Sequence, residues 1–206
     1  MTGRRIRTIA ALLDLLRAQG WTVKNPRSYD NRSATRDLGL DRRIRLLPHL
    51  RDGTEVTLKE SVVWPPLSAA IAAIDGSPEM AGDAPLVHIK ARPPQTHATD
   101  PDGFTPDHIR ALLAQACANL QDFDVPAHLA DLCRGDGPNF GSYPLYHLGA
   151  LALARDTARL RAALASFDAG AAHFMLPYVK RAMVQRALDI AEGRLDPATP
   201  PPRKRR

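Results

Sequence analysis

Aromatic residues are scarce in this chain, with Phe, Tyr and Trp making up 5% of its 206 residues. That scarcity weighs against a nucleic-acid reader, and no helix-turn-helix or RNA-binding signature compensates for it. Cysteine is scarcer still. Cys117 and Cys133 are the two cysteines, too few for a disulfide framework. They do not form a Cys-x-x-Cys pair, so reduced thiols in a cytoplasmic setting are expected. A run of about 18 apolar residues is also missing, so neither a transmembrane helix nor a membrane partner is expected. Arginines 4, 5 and 7 precede an apolar segment, but Asp14 and Arg17 interrupt it. The segment therefore reads as an amphipathic helix and not as a secretory signal.

Catalytic signatures are missing too. The glycine-rich segment 135–141 contains no Gly-Lys-Ser/Thr and follows a helix pattern, where a phosphate-cradling loop follows a strand. It reads as a linker. No Gly-x-Ser-x-Gly elbow is present, and no carboxylate pair stands out from ordinary surface acids. Seven histidines, at 49, 88, 97, 108, 128, 147 and 173, show no metal-ligand spacing. A working base needs a placed partner, so each histidine reads first as a packed or hydrogen-bonded residue. Cys133 precedes Arg134, which would favour a thiolate, but the end of a helix disfavours one. No catalytic residue, metal or cofactor is assigned, and the chain leans away from being an enzyme.

What is present is a long helical stretch from Ser142 to Gly193. Ser142 caps a first helix, with Pro144 in its first turn. Leu145, Leu148, Leu151 and Leu153 follow at helical spacing. Asp156 opens a second helix through Leu160, Ala163, Leu164 and Phe167, and 168–170 stops it. Pro177 opens a third, with Val179, Met183, Ala187 and Ile190 inward and Lys180, Arg181 and Arg186 facing water. Gly193 closes it. The paired helices carry no second copy at a fixed period, so a repeat protein is rejected.

The earlier part mixes elements. Residues 4–19 form a helix with Ile6, Ile9, Leu12, Leu13 and Leu16 on one face. Trp21 to Val23 is a short strand. Residues 25–41 read mainly as a loop, carrying Tyr29 among Arg27, Arg32 and Arg36, with room for a short strand near its end. Two strands at 43–50 and 54–64 flank Arg51-Asp52-Gly53, and Asp-Gly marks a hairpin turn. Val56, Leu58 and Val62 alternate with polar residues, so one face is wet, and Arg43, Arg45 and Lys59 share it. Pro48 requires an edge or a break in the first of these strands. A short helix (67–74), a strand (86–91) and a polar loop (93–103) follow. Helices at 105–120 and 125–133 complete the order.

The expected fold is therefore α+β, with a small antiparallel sheet and helices in the N-terminal half and an all-helical C-terminal half. Residues 1–92 form an α/β unit with its hairpin at 43–64. Residues 104–195 form a helical unit, separate or sharing one core with the first. Residues 196–206 form a disordered tail with four prolines that ends Arg203-Lys204-Arg205-Arg206. The element order is similar to that of small bacterial secretion-chaperone domains, a likeness of order alone. Those domains are typically acidic, and the first part of this chain is basic.

Net charge is +6. Residues 1–60 hold 13 basic residues against 7 acidic, and 61–202 hold 11 against 15. Positive charge thus collects at the two ends. The reading that fits best is a non-enzymatic bacterial protein-binding module, immunity- or chaperone-like, meeting its partner through Tyr29, Arg43, Arg45 and Lys59. One alternative is a nucleic-acid-associated protein using the basic N-terminal half and Arg203, Lys204, Arg205 and Arg206. The other is a small enzyme of unrecognised type, which would need several of His88, His97, His108, His128 and His147 to converge on a carboxylate.

Overall fold

A computed structural model of the chain describes residues 5–24, 32–39, 42–76, 85–86, 95–136, 143–171 and 179–199. Among these residues it is an α+β protein with one antiparallel sheet and seven helices. Strands lie in the N-terminal half and most helices in the C-terminal half. The chain forms two compact units, Met1–Val63 with Pro85–Phe123, and Trp64–Ala84 with Asp124–Arg206.

The first unit is built on the sheet. Helix α1 (Ile9–Ala18) starts where the Thr8 hydroxyl accepts from Ala11 N at 3.2 Å. Ile6, expected on that helix, instead forms an isolated bridge with Phe104. The capping threonine ends the extended segment, so the helix begins later than residue 4. Strands β1 (Thr22–Lys24), β2 (Ser33–Gly39), β3 (Arg42–Arg51) and β4 (Glu55–Val63) follow as an antiparallel meander. The expected loop over 25–41 thus holds a seven-residue strand. At the hairpin, Asp52 (φ 51°) and Gly53 (φ 73°) both adopt left-handed conformations. Pro48 sits beyond the last β2–β3 pair, Ala34↔Leu46, where β3 has only β4 beside it. The missing N–H therefore costs no ladder bond there.

Two short strands share the other side of β4. Strand β5 (Pro85–Leu86) pairs with Val62 and Val63, and β6 (Gln95–Thr99) pairs with Glu55 to Lys59. The expected loop over 93–103 is thus partly a strand. Gln-Thr-His-Ala-Thr lacks an apolar alternation, because an outermost strand buries little: Thr96 is its one buried side chain. Helix α3 (Pro106–Ala118) has its Thr105 hydroxyl accepting from His108 N, contacts β6, and buries Ile109, Leu113 and Ala116.

The second unit is helical. It comprises α2 (Pro65–Asp75), α4 (Val125–Arg134), α5 (Tyr143–Leu153), α6 (Thr157–Asp168) and α7 (Arg181–Ala191). Pro65 and Pro66 occupy the first positions of α2, where an amide hydrogen has no intrahelical partner. Ala73, Ile74, Leu148, Leu151, Leu160, Val184, Ala187 and Leu188 belong to one apolar core. Gly149 lets α5 lie close to α2: a Cβ there would sit 3.0 Å from Leu67 Cδ1 and 3.1 Å from Ile71 Cγ1. Arg186, expected to face water, is half-buried, and its Nε donates to Ile74 O at 2.6 Å. This bond satisfies a carbonyl in the last turn of α2.

The units do not follow the 1–92 and 104–195 division. Helix α2 packs with α5 and α7 in the helical unit, and α3 packs in the sheet unit. Loop composition drew the expected line, but packing partners draw this one. The third helix of the C-terminal stretch starts later than Pro177: Lys180, extended at φ −103° and ψ 152°, is the N-cap of α7, so Val179 is buried ahead of the helix and not on its stripe. The expected role of Ser142, the remainder of the strand to residue 91, and the tail from residue 200 lie outside the described residues.

Candidate functional site

The strand alternation sorts the side chains of the sheet onto two faces. Ile44, Leu46, Val56, Leu58 and Val62 are buried on one. Arg43, Arg45 and Lys59 do lie together on the other, since Arg43 pairs with Val63, Arg45 with Ser61, and Leu47 with Lys59. They are not equally available. Arg43 Nε donates to Asp37 Oδ1 at 2.8 Å. Arg45 is half-buried with its Nε lacking a hydrogen bond. Lys59 is exposed. Tyr29, His88, His173 and Arg203 to Arg206 lie outside the described residues.

The opposite face carries a feature that the sequence did not announce. Arg36 pairs with Ile44 across β2 and β3, so its side chain is on the core side of the sheet. Its guanidinium lies over the Trp21 ring at 6.0 Å from the centroid. Here the end of the β2–β3 hairpin and α3 enclose a cleft of about 730 Å³. Arg36, Arg42 and Arg110 line it, with Asp37 the acidic residue among the lining groups. That carboxylate is already engaged by Arg43. Arg42 uses one donor on Phe123 O at 2.8 Å, and Arg110 pairs with Asp107. Gln19 also lines the cleft, and its Nε2 is buried without a hydrogen-bond partner. Leu38, at 36% relative exposure, is the exposed large hydrophobic residue among the described ones, and it lies on the rim.

Below the cleft is a buried polar network. Glu60 is 1% exposed, on the apolar face of β4. Its Oε1 accepts from the Thr96 hydroxyl, and its Oε2 accepts from Asn119 Nδ2 at 3.0 Å. The Cys117 thiol, which lines the cleft, has its pKa pushed up by burial. Arg36 pulls the other way, and Glu60 adds to the rise. A thiol in this setting stays protonated and is a poor nucleophile.

A family model matches residues 8–192. The chain belongs to DUF6990, a family of unknown function. Comparison with curated proteins and with solved structures finds no match. The matched span includes α1 through α7, so both the cleft and the helical core lie inside the DUF6990 region.

The histidines of this DUF6990 chain do not gather at the cleft among the described residues. His97 Nδ1 is 3.1 Å from the Thr57 hydroxyl and 4.0 Å from Glu55 Oε1. Both contacts fall on the same ring nitrogen, so the three cannot relay a proton from hydroxyl to carboxylate. His108 Nδ1 is 3.4 Å from Asp100 Oδ2, where Arg5 also approaches at 3.8 Å. His128 is buried on α4.

His147 is the most built-in of them. Its Nδ1 donates to Leu132 O at 2.6 Å, its ring stacks at 12° against Tyr143, and it packs on Gly135. Burial holds its pKa below the ordinary range, partly offset by the bond to Leu132. Asp156 and Cys133 belong to the same electrostatic neighbourhood. Asp156 is committed to Arg159, whose Nε donates at 2.7 Å and which holds the carboxyl below its usual range. The Cys133 thiol is pushed up by burial. What this group does is join α4 to α5, with His147 satisfying a terminal carbonyl of α4. No group of three or more metal-ligating side chains occurs among the described residues.

The sequence reading therefore found the outer-face cations and missed the cleft. Arg36 stood out only as part of a basic loop. Arg36 and Arg110 lie on elements far apart in the sequence, and only the packing of α3 beside the sheet unites them.

Proposed function

We propose that this chain is a non-enzymatic bacterial protein-binding module, an immunity- or chaperone-like interaction protein acting in the cytoplasm. The observation that carries this reading is the cleft rim. An exposed leucine beside three guanidinium groups has the composition of an interface centre, where apolar anchors and arginines supply most of the affinity. Lys59 and the outer-face arginines fit as peripheral charges that raise the encounter rate. No helix among the described residues is long and apolar enough to cross a membrane.

The test is capture with the full chain from lysate with and without nuclease treatment, in parallel with Leu38→Asp. A stoichiometric protein bound by the parent chain and lost with Leu38→Asp is the expected result. Recovery of nucleic acid alone, released by moderate salt, would overturn the proposal. It would instead favour the second reading, in which Arg43, Arg45, Lys59 and the basic tail hold phosphates.

A further inference from the structure

The cleft itself points to the chemistry of what enters it. Among the described residues, three arginines line it against one carboxylate that is already paired. The Arg36 side chain has no hydrogen bond or ion pair to another described residue; it lies over the Trp21 ring and close enough to the Cys117 thiol to act on it electrostatically. Arg42 keeps most of its donor fork after bonding Phe123 O. Gln19 Nε2 is a buried donor with nothing to donate to, which is costly unless a ligand supplies an acceptor. Among the described lining side chains, cationic donors outnumber carboxylates.

The apolar lining narrows the choice further. Leu38, Leu113 and Leu120 line the cleft, and Ala114 and Ala118 on α3 leave room beside them. A small inorganic anion would leave this surface uncovered. A single-stranded nucleic acid would look for an aromatic face. Trp21 is only 3% exposed, and no aromatic residue is among the described lining groups. Base stacking is therefore not offered. An acidic polypeptide segment satisfies both halves of the lining, with Asp or Glu carboxylates on the guanidinium forks and an aliphatic side chain against Leu38.

We infer that the cleft between the β2–β3 hairpin end and α3 receives an acidic, leucine-bearing segment of a partner protein, held by Arg36, Arg42, Arg110 and Gln19. This rests on the binding-module reading and names the partner's chemistry.

The experiment uses the full chain carrying Trp64→Phe, which leaves Trp21 as the sole tryptophan and places the reporter beside Arg36. The probes are a peptide alternating Glu and Leu, the same peptide with Gln for Glu, inorganic phosphate, and an oligo-dT strand. The expected result is a saturable change in Trp21 emission with the Glu peptide, weakening as salt rises. The Gln peptide is expected to bind roughly tenfold or more weakly. Arg36→Gln and Arg110→Gln, both at exposed positions, should each weaken the Glu peptide roughly tenfold while circular dichroism stays unchanged. Arg51→Gln, at the opposite end of β3 from Arg42, should leave it unaffected. No response to the Glu peptide, or equal binding of the Gln peptide, overturns the inference. So does tighter binding of phosphate or oligo-dT. If a protein is still captured in a Leu38-dependent manner when the Glu peptide fails, the binding-module reading stands and only the acidic-segment assignment falls.

Discussion

The two compact units bury different chemistry. In the helical unit the interior is mainly an apolar cluster of leucine, alanine, valine, isoleucine and methionine, with Ser68 and His128 as its buried polar residues among those described. In the sheet unit the apolar face of β4 contains Glu60, bonded to Thr96 and Asn119, and two nearby donors, Gln19 Nε2 and Trp21 Nε1, have no partner. The sheet unit thus holds both a satisfied buried network and unsatisfied buried donors. The first costs little once complete, whereas the second costs stability that a ligand can restore. The contrast suggests a division of labour, with a helical scaffold and a sheet unit adapted for binding.

The largest effect that would sharpen this contrast is at Glu60. Glu60→Ala removes the acceptor for both Thr96 and Asn119, and is expected to cost about 3 kcal/mol in urea-unfolding free energy. Glu60→Leu combined with Thr96→Val should recover much of that loss, because the two buried members become apolar together while Asn119, at an exposed position, can turn to water. If Glu60→Ala proves neutral, the network is not structural. In the helical unit the corresponding weak point is steric. Gly149→Ala gains about 1 kcal/mol of helix propensity, yet should still destabilise by about 1 kcal/mol, because Leu67 and Ile71 must yield. A rise in melting temperature would show that the α2–α5 approach tolerates a methyl group.

A third expectation concerns pH and separates the units by titration. His147 is held below its ordinary pKa by burial. The unfolded chain therefore takes up this proton more readily than the folded one. The resulting stability is complete above about pH 6.5, the ordinary histidine value, and is lost as pH falls towards the folded pKa. Urea unfolding across this range should show reduced stability on the acid side, and His147→Gln should remove that part of the slope. An unchanged slope would place the titration elsewhere. The smallest effect is at Leu38. Leu38→Ser should change folding stability by less than about 0.5 kcal/mol, since the side chain is exposed, even though partner binding should suffer.

How much of this was legible in the sequence follows the same divide. The helical unit could be read almost directly, because three- and four-residue spacing and capping residues such as Asp156 are local signals. The hairpin was equally legible, since Asp52 and Gly53 both take the left-handed conformations that Asp-Gly favours. Strand β6 was not, because an outermost strand with one buried threonine carries no period-two apolar signal. The cleft was illegible for a different reason. Arg36 and Arg110 acquire meaning only through tertiary packing, and the parity that turns Arg36 inward depends on its pairing with Ile44. The Glu60 network was hidden in the same way, since its three members lie on β4, β6 and the end of α3. Alternation did place Arg43, Arg45 and Lys59 on one face, but it could not show that Asp37 engages Arg43.

The measurement that tests the central claim most directly is hydrogen exchange of the full chain with and without the Glu–Leu peptide. The account predicts added protection over Ser33–Gly39 and Pro106–Ala118, the elements that enclose the cleft, with α5, α6 and α7 unchanged. Protection confined to the helical unit, or absent throughout at saturating peptide, would contradict it.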